Sequence, residues 1–192
     1  MLSQDLCRRI SQLIDKHGTL KDFIVKFNPT YQHEICADSN ECYFGDYPTL
    51  GLIRTAYGNN APSAWIVPHL FNLTTFCGCR DKFTEEQYEE LAYVISSEFS
   101  YLKVSELMLF FHRFKAGRYG RFYGSIDPMV ITTSIYEFIR ERSNAIEQRD
   151  REEALRQIEE GRKNSISWEE YCKNHGIEDK QNPLDRIREI VS

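Results

Sequence analysis

Four cations, Arg113, Lys115, Arg118 and Arg121, alternate with Phe114, Tyr119, Phe122 and Tyr123, and no acid falls between Leu107 and Ser125. Guanidinium and ammonium groups hold phosphates by charge and paired donors, while aromatic faces stack on bases. Gly117, Gly120 and Gly124 punctuate the same stretch and allow a close approach of backbone to ligand. The chemistry this pattern could perform is phosphate or nucleic-acid contact through Arg113, Lys115, Arg118, Tyr119, Arg121 and Tyr123. A plainer reading stands beside it: glycines end a helix, aromatics anchor the turn in the core, and arginines are solvated. The stretch contains neither GxGxxG nor a Walker lysine pattern, so no nucleotide or other cofactor is expected. The formal net charge of −5 and the pI of about 5.6 exclude a basic nucleic-acid coat and confine the reading to this one local cluster.

Other constellations are weaker. His33, Cys36, Cys42, Cys77 and Cys79 are soft ligands, but C-x5-C and C-x-C are not the paired knuckles of a structural zinc site. Buried free thiols are the simpler expectation, and no metal is assigned. The histidines at 17, 33, 69, 112 and 175 lie in unrelated contexts, and no nucleophile sits in a recognised elbow. His69 and His112 read as hydrogen-bonded structural residues, and Glu85, Glu86, Glu89 and Glu90 as a solvated face. The expectation is a non-enzymatic protein. Trp168 and Tyr171, in the short stretch SWEEYCKNHG, are anchors of the kind that fill a partner's groove, or that fold back onto their own domain.

The elements that must position these residues are helical. Leu6, Ile10, Leu13 and Ile14 make an apolar stripe that Gly18 stops. A short helix follows near 20–27, and mixed polarity from Thr30 to Asp46 predicts irregular structure. Pro48 suits the first turn of a helix ending at Gly58. Residues 61–75 are apolar nearly all round, with Pro68 predicting a kink or two abutting helices. Thr84 and Gln87 spell a capping box. Ser105 can cap the most apolar helix, Leu107 to Phe114, expected at the centre of a bundle. Asp127 and Pro128 start the next helix, whose core stripe runs through Ile131, Ile135, Phe138, Ile139 and Ile146.

Beyond Glu147 the apolar residues thin out and acid–base pairs at i,i+4 predict an exposed helix, with Gly161 to Ser165 as stop and linker. Ser167 and Glu170 form a second capping box, and a last helix is expected near 184–191. No strand alternation occurs, so the fold class is all-α: an irregular helical bundle (1–146), a long charged helix and linker (147–165), and a C-terminal helical tail (166–192). Charges early in the N-terminus exclude an export signal, no segment suits a membrane, and a cytoplasmic location with reduced cysteines is expected.

The stretch ELMLFFHRFKAGRYGRFYGSIDPMVITTSIYEFIRER, with GDYPTLGLIRTAYG and PSAWIVPHLFNL upstream, resembles an uncharacterised family of small proteins from gut anaerobes, often associated with mobile or prophage-like DNA. The resemblance spans roughly residues 40–150 and implies no catalytic residue. With the basic turn, it leads to the expectation of an accessory protein that contacts nucleic acid or a nucleoprotein partner, in replication or helicase loading. The alternative is a protein-interaction adaptor working through the charged helix and the Trp168 segment. A third reading is a small-ligand or metal-binding helical domain.

Overall fold

The computed structural model describes residues 3–78, 83–120, 127–165 and 168–176, and among them the fold is all-α with no strand. It divides into two units, Met1–Asn144 and Ala145–Ser192.

In the first unit, α1 (Gln4–His17) is capped by Ser3 and closed at Gly18, and α2 (Leu20–Lys26) opens on a Thr19–Asp22 capping box. The segment expected to be irregular instead holds a 3-10 turn (Pro29–Tyr31) and two short helices, α3 (Gln32–Ile35) and α4 (Ser39–Phe44). These are too short to show an apolar period; the local signals are Asn28 and Asp38, whose side chains accept from the backbone at Thr30 and Asn40.

Helix α5 (Leu50–Tyr57) is capped by Thr49, two residues into the stretch where Pro48 was expected to open the first turn, and α8 (Val104–Lys115) starts after Lys103 and not at a Ser105 cap. Both shifts have one cause. The chain before each helix pairs with the other: Leu50 N–H donates to Leu102 O, Val104 N–H to Pro48 O, and Thr49 and Lys103 form an antiparallel bridge. Ser105 is buried and donates instead to the carbonyl of Cys42 at 2.8 Å.

Helix α6 (Ala61–Phe76) runs unbroken through Pro68. Of the kink or two abutting helices expected here, the division into two does not occur, because packing on several sides holds the turn that the proline deprives of one donor. Trp65, Ile66, Leu70 and Leu73 are fully buried, and α7 (Glu85–Glu98) lies along α6 with Tyr88, Leu91, Ala92 and Ile95 inward. The Thr84–Gln87 capping box is formed in both directions.

Helix α8 is the centre, buried from Val104 to Phe111 and again at Phe114. It meets α3, α4 and α6. Ile131, Ile135 and Phe138 of α9 (Pro128–Asn164) complete the core, with the Phe138 ring 5.9 Å from Phe110 and 6.1 Å from Tyr43. Asp127 caps α9 through the backbone at Met129, as its position before Pro128 implies.

In the second unit, α9 continues through Gly161, where a stop was expected, to Asn164. One glycine costs a helix only about 1 kcal/mol and does not end it unless the chain turns into the left-handed region. Every residue from 147 to 163 is exposed. Helix α10 (Trp168–His175) follows. The second capping-box serine, Ser167, and the expected helix at 184–191 lie outside the described residues.

Candidate interaction site

Sequence reasoning placed the basic turn in the open, without an opposing charge. The structure supplies one from 20 residues further along the chain. Glu141 of α9 accepts from Arg113 at 2.8 Å through one oxygen and from Arg118 at 2.7 Å through the other. Arg113 leaves the last turn of α8 and is only 17% exposed. Its guanidinium also donates to the Tyr43 hydroxyl at 2.6 Å and to Ser39 Oγ at 3.1 Å, so α4 and α9 converge on one cation of α8. Burial pushes the Tyr43 hydroxyl pKa up, and Arg113 opposes that rise.

Lys115, two residues on, is turned inward. It donates to Gln32 Oε1 at 2.6 Å and to Asn72 Oδ1, and burial lowers its pKa. Gln32 relays this inward: its amide nitrogen lies 2.9 Å from His69 Nδ1, and His69 Nε2 lies 2.9 Å from the Phe27 carbonyl, which also accepts from Trp65. With Phe27 as acceptor, His69 carries its proton on Nε2 and accepts from Gln32 on Nδ1. Burial drives its pKa down to about 3, so at neutral pH this is an uncharged ring with both nitrogens engaged.

Gly117 ends the helix in the left-handed region, with φ of 77°, and its N–H returns to Phe114 while that of Arg118 returns to Arg113. This sets Arg118 at the surface, 55% exposed, with its pKa raised by the Glu141 hydrogen bond. Tyr119 folds the other way, its ring 5.5 Å from Phe110 and 6.1 Å from Phe114, and its buried hydroxyl has no hydrogen-bond partner among the described residues. Burial raises its pKa strongly. Among the described members of the expected nucleic-acid site, then, only Arg118 presents its charge to solvent. Arg121 and Tyr123 lie outside the described residues.

A second clasp joins the same two helices with the charges reversed. Glu106, fully buried in α8, accepts from Arg142 at 2.5 Å and from the Lys103 N–H at 2.9 Å, and Arg142 lies over the Tyr101 ring. Neither Glu106 nor Glu141 stood out in the sequence, and the only signal for Glu106 was an acid in the first turn of an otherwise apolar helix.

In the second unit, Trp168 stacks on Tyr171 with centroids 5.5 Å apart, and Tyr171 on His175 at 4.1 Å. Tyr171 is 38% exposed, Trp168 is half-buried with its indole nitrogen unpaired, and Cys172 is buried. The two expected anchors thus form one aromatic stack.

Among the described residues no three His, Cys, Asp or Glu side chains stand where they could hold a metal ion, with Cys79 outside that set, and no helix is long and apolar enough to cross a membrane. Cys36 and Cys42 are buried thiols, Cys42 donating to the Ile35 carbonyl at 3.3 Å.

Fold and site define a helical domain that ties Arg113, Lys115 and Arg118 of its basic turn to partners of its own chain and exposes a long, mixed-charge helix. The chain belongs to a family of unknown function, DUF6633, whose model matches residues 82–182. That match starts later and runs further than the resemblance drawn from the sequence, taking in the whole of α9 and α10. No curated protein and no solved structure matches the chain.

Proposed function

We propose that this protein is a non-enzymatic accessory factor that docks a protein or nucleoprotein partner through the exposed half of α9 and the aromatic stack of α10. One observation carries the reading: residues 147–163 are helical over about 25 Å yet bury no side chain. A helix exposed all round gains nothing from a core, and its stability rests on intrinsic propensity and side-chain pairs such as Arg151–Glu147 and Arg156–Glu153. Leu155 and Ile158 stand 62% and 54% exposed on it, three residues apart and so on one face. Such a pair, flanked by charges of both signs, suits a helix-in-groove contact with a polar rim. The family match runs through this stretch, so it belongs to what defines the family.

The test is site-specific photo-crosslinking in the producing cell, with the crosslinker replacing Leu155 and, as a control, Arg8. A discrete adduct at position 155 that disappears with Ile158→Asp supports docking. Equal labelling at both positions, or none, refutes it.

Nucleic-acid contact by the turn is the second reading, favoured by the exposed Arg118. It places the protein directly on DNA or RNA, in keeping with a replication or helicase-loading role. Its test is fluorescence anisotropy at low salt, where binding should fall steeply as salt rises and weaken with Arg118→Ala. Absence of binding at high micromolar protein would leave the docking reading alone.

A further inference from the structure

A cavity of about 590 Å³ opens in the first unit, and no residue of the basic turn lines it. It is walled by the ends of α1 and α2, the 3-10 turn, α3, and the chain around Asp46. Its size falls within the roughly 300–1,000 Å³ of small-molecule sites. The floor is aromatic: Phe27, almost fully buried, meets Tyr47 at 6.2 Å between centroids, and Tyr31, 42% exposed, stands at the mouth. A smaller cavity of about 110 Å³ adjoins it and shares Lys16, His17, Asp46 and Tyr47.

The charges around the larger cavity do not cancel. Lys16 is spent on Asp46, at 3.0 Å. His17, buried to 8% exposure, has its pKa lowered to about 4, chiefly by burial and then by Lys26, so the back wall is uncharged at neutral pH. Its Nδ1 is buried without a hydrogen-bond partner, a polar group left unpaired beside a cavity. What remains is Glu34, whose exposed carboxylate also lies 3.7 Å from His33 Nε2, and Glu41 against Lys26. Two carboxylates facing one ammonium, over aromatic faces, favour a cation: the carboxylates attract it and the ring faces stabilise it further.

We propose that this cavity binds a small aromatic amine, its ring packed on Phe27, Tyr31 and Tyr47 and its ammonium on the side of Glu34 and Glu41. A ligand of this size binds with a Kd on the order of 0.1–1 mM. The experiment uses the full chain with two probes that share a ring and differ in charge, tryptamine and indole-3-propionate, read by isothermal titration and by backbone amide shifts. Tryptamine should bind one to one and shift the amides of Val25, Tyr31 and Tyr47, whereas indole-3-propionate should bind at least roughly tenfold more weakly. Glu34→Gln and Tyr31→Ala, both at exposed positions, should each weaken tryptamine roughly five- to tenfold, while Glu86→Gln on α7 leaves it unchanged. The proposal is overturned if the acid binds as tightly as the amine, if tryptamine shows no saturable binding below about 10 mM, or if Glu34→Gln binds it like the parent.

Discussion

Replacing Glu141 with glutamine separates two properties of the basic turn, because this one carboxylate holds Arg113 and Arg118 together. The two pairs differ in environment. Arg113 is 17% exposed against a 25% exposed carboxylate, while Arg118 is 55% exposed. Removing a partner from a fully buried pair costs about 3–5 kcal/mol, and from a surface pair about 0–1 kcal/mol. Arg113 keeps its bonds to Tyr43 and Ser39, and glutamine keeps an acceptor, so its share falls to about 1–2 kcal/mol. With a small contribution from Arg118 the sum is about 2 kcal/mol, a fall in melting temperature of roughly 4–8 °C for a chain of this size.

Differential scanning calorimetry with the single Arg118→Ala variant as comparison checks the division, since that change should move the midpoint by less than about 3 °C. Glu141→Gln also removes the charge that opposes both arginines and leaves the exposed Arg118 without its carboxylate. If the turn contacts phosphates, Glu141→Gln should therefore bind an oligonucleotide more tightly than the parent and steepen its salt dependence by about one unit per phosphate gained. An unchanged melting temperature would show that Arg113 finds solvent or its other partners sufficient, and the clasp would lose its structural meaning.

Phe111→Ala removes a fully buried ring that stacks on His69 at 5.6 Å, and should cost about 3–5 kcal/mol by urea denaturation; a midpoint equal to the parent's would place the ring outside the core. His69 predicts acid lability. Unfolded, its ring takes a proton near pH 6.5, whereas folded it does so only near 3, so the unfolded state binds more protons across that window. Stability should be full above about pH 6.5 and fall on acidification by up to about 1.4 kcal/mol per unit, with His17 adding in the same direction. His69→Gln should flatten that slope, and an identical slope in parent and variant would assign the lability elsewhere. Ending the chain at Asn144 should leave the first unit with a cooperative thermal melt, since the core stripe of α9 ends at Phe138; loss of cooperativity would show that the second unit contributes to that core.

What the sequence made legible was local. The Thr84–Gln87 capping box, the Asp127–Pro128 start and the apolar run of α8 are each written within a few residues, and each is formed. The starts of α5 and α8 were misplaced because a backbone bridge between Thr49 and Lys103, far apart in the chain, fixes them. The candidate site failed in the same way. Inspecting residues 107–125 showed no acid, and none is there, but α9 returns Glu141 to the turn. Lys115 could not be distinguished from Arg118 by type or spacing, and only the polar pocket of Gln32 and Asn72, from two other helices, draws it inward.

The two ion pairs between α8 and α9 have a consequence for register that neither has alone. On α9 the charges are adjacent, Glu141 then Arg142, and therefore point about 100° apart. On α8 their partners, Arg113 and Glu106, are seven residues and so two turns apart, about 10 Å along the axis. Shifting α9 by one residue in one direction would aim Arg140 toward Arg113 and Glu141 toward Glu106, like against like at both points, and in the other would aim Arg142 toward Arg113 and leave the fully buried Glu106 facing Ser143. Apolar side chains such as Ile131, Ile135 and Phe138 tolerate small shifts in packing more readily than buried charges tolerate a like-charged neighbour. The clasps thus select one docking of α9 more sharply than the core does.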